Sequence, residues 1–264
     1  MKEVAMKTET KPLDWMLAGQ RLLAVLILLV AWQVVIWSGS LPSMTPGVPQ
    51  IGTAIISALT SPLFWSALAQ TMTAAVSGWL IAVALGSVLG LLVGSLPVVD
   101  RSTSILIDFG RSFPVLALMP VVIMLLGATA RMETVVVALS CLWPVLVQTI
   151  YGSRRLDSSV VDTARIFRIP KMLWFRRVLL PTASPFIATG IRISASIAIL
   201  VAVGVEVLSQ TPGIGRMITL AQQAQKWDVA FAYLFFAGLV GWGIAAVLQL
   251  AERRLLKWNR QSND

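Results

Sequence analysis

The segment Asp162–Pro181, DTARIFRIPKMLWFRRVLLP, interrupts an otherwise apolar chain with a basic, aromatic-rich loop. Seven of the chain's 21 lysines and arginines fall between Arg154 and Arg177. In a membrane protein a loop this basic belongs on the cytoplasmic side, because short positively charged loops are retained there during insertion. Ile169-Pro170 breaks the segment. The residue before proline avoids helix, and proline suits a first helical turn. Two short helices are therefore predicted, about Ser158–Arg168 and about Pro170–Leu179, the second carrying Met172, Phe175, Arg176 and Leu179 on one side. On residue chemistry alone this second helix suits an anionic lipid surface as well as it suits a protein partner.

Around the loop, the composition is that of an integral membrane protein. Of 264 residues, 57% are hydrophobic and 12% charged, where soluble domains carry about 25% charged residues. The apolar runs are long and continuous rather than alternating, so the spans are helices and not barrel strands. A hydrocarbon core of about 30 Å needs about 20 residues per helix. Six segments qualify: about Leu22–Ser38, Thr71–Ser95, Ile105–Leu126, Thr134–Tyr151, Pro185–Leu208 and Val229–Leu250. They predict an all-α protein with one membrane domain over residues 21–252, a tail at 1–20 and a tail at 253–264. The first span follows a polar, basic start without a small-residue cleavage site, so it reads as uncleaved. Short helices are expected at about Ile51–Leu59 and after the SQTPGIGR turn.

Charge orients the bundle. With the N-terminus inside, 16 lysines and arginines fall on the cytoplasmic side, including Lys2, Lys7, Lys11, Arg253, Arg254, Lys257 and Arg260. Three, Arg131, Arg216 and Lys226, fall outside. This asymmetry places both termini in the cytoplasm. Trp37, Trp65 and Trp227 then mark one interface, and Trp15, Trp174 and Trp258 the other. The net charge of +9 arises from these helix ends and the one loop, so it speaks for membrane lipid and not for nucleic acid. Cys141 stands alone, which excludes a disulfide within the chain, and histidine is absent, which removes the commonest general base and metal ligand. A catalytic constellation is hard to assemble from what remains, and neither a catalytic nor a metal site is expected.

Several residues within the spans invite a role. Gly78, Ala82, Gly86, Gly90 and Gly94 recur every fourth residue, so they share one helix face and suit close helix packing. Pro114 and Pro120 in RSFPVLALMP, and Pro144 beside Trp143 in CLWPVLVQ, free backbone carbonyls that either shape the bundle or line a wet path. Asp108 and Arg111, three apart, suit a structural ion pair. Glu206 is an acid near the outer end of an apolar span, with a structural or gating role and substrate contact both open. TPGIGR lacks the lysine and the preceding strand of a phosphate loop, so the chain shows no nucleotide site of its own.

Asp162-Thr163-Ala164, then Arg168, then Val178-x-Leu180-Pro181 resembles the EAA loop of ATP-binding-cassette importer permeases. Ala164, Leu180 and Pro181 match that pattern outright, and Arg168 stands where it has glycine. RSFPVLALMPVVIMLLG, LWPVLVQTIYGSR, TGIRI, GIGRMI and the terminal ERRLLKW resemble the nitrate/sulfonate/taurine branch, over roughly Thr71 to Trp258. The resemblance implies the six-helix fold of type I importers in the prokaryotic inner membrane. It implies a subunit that binds no cofactor itself and pairs with a second permease, identical or homologous. Two cytoplasmic subunits would bind ATP and magnesium, and an extracytoplasmic binding protein would deliver a small solute such as a sulfonate or nitrate. The loop at about 154–181 would be the coupling element. Asp162, Thr163, Ala164, Arg165, Phe167, Arg168, Pro170, Lys171, Met172, Trp174, Phe175 and Arg176 would contact the ATPase. Pro114, Met119, Pro120, Trp143, Pro144 and Glu206 would border the translocation path. The alternative reading is a secondary transporter or channel that needs no ATPase, against which count the absence of an obvious repeat and the few deep charges; a membrane enzyme is disfavoured by the lack of histidine and of an acid cluster.

Overall fold

Long apolar runs with few internal breaks become long helices, because every buried amide in lipid must be paired within its own segment. The computed structural model describes residues 14–42, 44–156 and 158–255. Lys2, Lys7, Lys11, Lys257, Trp258 and Arg260 lie outside the described residues.

Among the described residues five helices are long and apolar enough to span a bilayer, and a sixth segment of that length and composition is a bent pair, Pro97–Ser112 with Val115–Leu126. The elements are α1 (Asp14–Trp37), α2 (Val48–Leu59), α3 (Pro62–Ser95), α4 (Pro97–Ser112), α5 (Met119–Leu126), α6 (Ala130–Arg154), α7 (Ser158–Ile166), α8 (Lys171–Trp174), α9 (Leu180–Ser209), α10 (Ile214–Gln223) and α11 (Trp227–Leu255). No strand occurs among the described residues.

Three of these elements differ from the expectation. Span two starts at Pro62 and not near Thr71, since proline in the first turn costs no hydrogen bond. Span three is not one rod: α4 and the segment Val115–Leu126 meet at 82°. The cause is local. Phe113, which precedes Pro114, takes extended backbone and ends α4, whereas Pro120 sits in the first turn of α5 and starts a helix. In the basic loop, the second predicted helix is not separate. The chain from Lys171 to Ser209 is one helix of 39 residues, with a π-helical turn at Phe175–Leu179 joining α8 to α9.

α6 is the centre of the bundle. α3 runs parallel to it, with Gly78 beside Thr134 and Val137 at one end and Gly94 beside Ser153 at the other. Between them, a Cβ placed on Gly90 would come within 2.6 Å of the Thr149 Cβ, and one on Gly86 within 2.9 Å of the Val145 Cβ. Ala82 in the same row is buried. α9 packs antiparallel on the other side of α6, with Gly152 against Ala183 and Phe186, and Gly190 against Pro144 and Val145. α11 lies along α9, tied by an Arg192–Glu252 ion pair at 3.1 Å, and meets the start of α3 through Phe64, Tyr233 and Phe236. α1 stands apart and is held near its end by Gln33, which accepts from Val48 N–H at 2.9 Å, and by Trp32, which donates to the Pro46 carbonyl.

The α3–α6 seam leaves no room for a larger residue. Gly90→Val is expected to destabilise the purified protein by about 1–3 kcal/mol through overpacking, read as a lowered thermal midpoint in detergent. Gly238→Ala, at an open position on α11, is the matched control and is expected to leave the midpoint unchanged.

Candidate functional site

Three places on the α6–α9 framework gather the residues of interest. The first is the basic corner between α7 and α8. α7 is closed at its end by hydrogen bonds from Phe167, Arg168 and Ile169 N–H to the carbonyls of Thr163, Arg165 and Ala164. The last of these, reaching back five residues, is the bond of a left-handed helix cap. Arg168 accordingly has φ of +48°, a conformation natural to glycine. The turn projects Ile166 and Phe167, 76% and 75% exposed, alongside Met172 at 69%. Asp162, Thr163, Arg165, Pro170, Lys171, Phe175 and Arg176 are exposed too, Ala164 and Trp174 are half-buried, and Leu179 is buried. The Asp162–Arg165 pair, 3.4 Å and exposed, adds little to stability.

The second place is a cavity of about 490 Å³ where α4 bends toward α5, against α6 and α9. Phe113, Pro114, Val115, Trp143, Pro144, Ile197 and Val201 form its largely apolar wall, with Ser140 and Arg111 as polar groups. Trp143 needs its partner to be small: any side chain on Gly110 would overlap the indole. Proline has no N–H, so Pro144 cannot pair with the carbonyl of Ser140 one turn back. Arg111 is paired with Asp108 at 3.0 Å. Next to it, a hollow of about 310 Å³ carries Asp100, Asp108, Arg111, Tyr151 and Arg154, with Asp100 and Arg154 in an ion pair. Pro114, Trp143 and Pro144 thus come together. Met119 is buried in the core, Pro120 is exposed, and neither lines this cavity; Glu206 lies elsewhere.

The third place is the end of the bundle that carries α10. Glu206 is 0% exposed and accepts from Gly215 N–H at 2.6 Å. Thr71 on α3 is equally buried and accepts from Ile214 N–H at 2.9 Å. A side chain on Gly213 would overlap the Glu206 carboxylate, so the turn before α10 is glycine because the acid lies against it. Glu133, in the first turn of α6, is 2% exposed and lies within hydrogen-bonding reach of Glu206. Sequence reasoning missed Glu133. Its signal was present, an acid one residue before the expected start of span four, but that boundary assigned it to a loop. A cavity of about 390 Å³ opens beside it, lined by Gln70, Thr73, Thr134, Thr211 and Pro212 among others.

Residues 82–261 match the model of a family described as binding-protein-dependent transport system inner membrane components. Among individual proteins, the chain is similar to an aliphatic sulfonates transport permease protein, SsuC, of Bacillus subtilis, at 33% identity over 66% of this chain and 64% of that one. It is similar to the bicarbonate transport system permease protein CmpB of a Synechocystis strain, at 29% over 68% and 64%. The nitrate import permease protein NrtB of Leptolyngbya laminosa is 26% identical over 74% and 69%. The match thus spans 64% of the length of each of the first two relatives. Among solved structures, a bacterial alginate transporter superposes with a TM-score of 0.65 at 14% identity, over 92% of this chain and 96% of that one. The MetNI methionine transporter, inward facing, gives 0.56 at 16%, over 73% and 92%. The fold is that of importer permeases, and the protein is a multi-pass inner membrane protein.

The left-handed backbone at position 168 sets a stability test. Arg168→Gly is expected to raise the thermal midpoint slightly, because glycine removes a strain of about 1 kcal/mol. Arg168→Val is expected to lower it, since a branched side chain fits that conformation worst.

Proposed function

The chain belongs to the binding-protein-dependent transport system inner membrane components, and from that membership we propose that it is the permease subunit of an ATP-driven importer. It would cross the membrane six times with both termini in the cytoplasm, as the lysine and arginine distribution favours. Two permease subunits, two cytoplasmic ATP-binding subunits and an extracytoplasmic binding protein would make the working assembly. ATP hydrolysis, with its magnesium, would belong to the separate subunits, and this chain would contribute alternating access. The relatives named for sulfonates, bicarbonate and nitrate favour a small anion as the solute.

The observation that carries this reading is the corner at Ile166–Met172. Exposed apolar side chains on an ordered turn, ringed by Arg165, Arg168 and Lys171, have the make-up of a docking knob: an apolar anchor with a charged rim. Met172, at the far side of the corner, already stands in the first turn of the 39-residue helix that reaches Glu206, so force applied there enters the bundle directly. The cavity at Pro114, Trp143 and Pro144 is the segment of the path this chain would supply, with the second permease closing its open side.

The reading is tested by replacing the anchors. Phe167→Ala with Met172→Ala is expected to abolish copurification of the ATP-binding subunit and to lower ATP-driven uptake roughly tenfold or more. The thermal midpoint of the isolated chain should not move, because both side chains are exposed. Retention of the ATP-binding subunit together with full uptake would refute the docking role.

A further inference from the structure

Two carboxylates from different helices are buried together at the α10 end, and the transport reading makes no use of their chemistry. Glu133 on α6 is 2% exposed and Glu206 on α9 is 0% exposed. Each lies within hydrogen-bonding reach of the other. Ionised carboxylates only accept hydrogen bonds, and the donors around them run short. Gly215 N–H serves Oε2 of Glu206, Thr71 stands within reach of Glu206, and Thr211 within reach of Glu133. Oε1 of Glu133 and Oε1 of Glu206 are both buried and receive no hydrogen bond from any described residue.

Positive charge is missing as well. Among the described residues, neither acid forms an ion pair with a lysine or arginine. The nearest basic residues in sequence, Arg131 on α6 and Arg216 on α10, are exposed to solvent, and α3 brings no charge, only Thr71 and, along the adjoining cavity, the neutral Gln70 and Thr73. Two bare like charges in contact and out of water repel strongly. The site therefore lacks one hydrogen-bond donor and one positive charge, and a proton supplies both.

We propose that Glu133 and Glu206 form a buried binding site for a single shared proton, and that the proton-bridged pair fastens the start of α10 across the ends of α3, α6 and α9. The two acids are not equivalent. Glu206 faces the first amides of α10, where the helix dipole and Gly215 N–H favour a negative group; it is the acceptor. Glu133 carries the O–H. With the proton in place, Glu206 and Thr71 together engage two of the α10 amides that have no partner within the helix. With the proton gone, the carboxylates must part, and the close seat at Gly213 and Gly215 is lost. The proton is thus a structural ligand of the α10 end, taken up and released as that end closes and opens.

The test uses the full-length chain in lipid nanodiscs. A glutamine at position 133 is a neutral donor, the permanent mimic of a protonated Glu133. The infrared difference spectrum of wild type against Glu133→Gln should show one protonated-carboxyl C=O band in wild type that the variant lacks. Glu133→Gln should keep the wild-type thermal midpoint, while Glu133→Ala, with no donor, should lower it. No such band in wild type, or equal loss of stability in Glu133→Gln and Glu133→Ala, would overturn the proposal. So would a wild-type midpoint that rises in sodium chloride over choline chloride only while Glu133 is present, because the site would then hold a metal cation. Glu206→Gln, which keeps an acceptor for Gly215 but not the charge, should lower the midpoint less than Glu206→Ala; equal loss counts against the acceptor assignment.

Discussion

Close approach of α3 to α6 is the contact on which the rest of the bundle is set out. Within lipid, apolar side chains gain nothing by leaving hydrocarbon for protein, so helices associate through tight packing and interhelical hydrogen bonds. Gly78, Gly86, Gly90 and Gly94 supply the packing by letting the α6 side chains at Val137, Val145, Thr149 and Ser153 seat against bare backbone. Polar groups then fix the third helix. Trp79 on α3 donates to the hydroxyl of Ser194 on α9 at 3.0 Å, and the Cys141 thiol on α6 to the Ser194 carbonyl at 3.2 Å. One serine thereby ties three helices, and Ser77 with Thr134 adds a hydroxyl pair across the seam at 3.1 Å. Everything placed against this trio, the bent α4–α5 pair on one side and α11 on another, inherits its geometry.

The parts of this arrangement that were legible in the sequence are those governed by hydropathy and by periodicity. Six apolar runs give the crossings, and a glycine every fourth residue marks the face of α3 that meets α6. Where one residue type has two possible effects, the sequence alone does not decide. Pro114 ends a helix and Pro120 begins one, although both stand in the same apolar run, and what separates them is the hydrogen bond each would have cost. Ile169-Pro170 interrupts the basic loop, yet Lys171 onward does not form a separate helix, because a π-helical turn absorbs the change of register into α9. Glu133 was hidden by its address. Its importance comes from a partner 73 positions away, and nothing local to it announces that partner.

Arg168 shows how a local departure can leave geometry intact. The hydrogen bonds that close α7 fix the backbone of this residue in the left-handed region. The direction in which Phe167 and Met172 project is decided by those bonds, and the side chain at 168 is simply carried outward. The corner and the buried carboxyl pair then stand at opposite ends of a single stretch of helix, with the Pro144 cavity between them. The three places are thus linked by covalent structure and by α6, not by proximity.

α1 has a different relation to the rest. No residue in the central part of this helix is buried within the chain, and its attachments are gathered at Trp32 and Gln33. Inside this chain that stretch of α1 packs against nothing, so most exchanges among leucine, isoleucine, valine and alanine there alter no contact within the chain. α6 is at the other extreme, since Val136, Val137, Cys141 and Val145 have no free surface at all. The family match begins at residue 82, beyond α1 and inside the seam. The chain therefore divides into a stretch that makes few contacts with the rest of the fold and a stretch packed on every side, and the division follows what each helix touches.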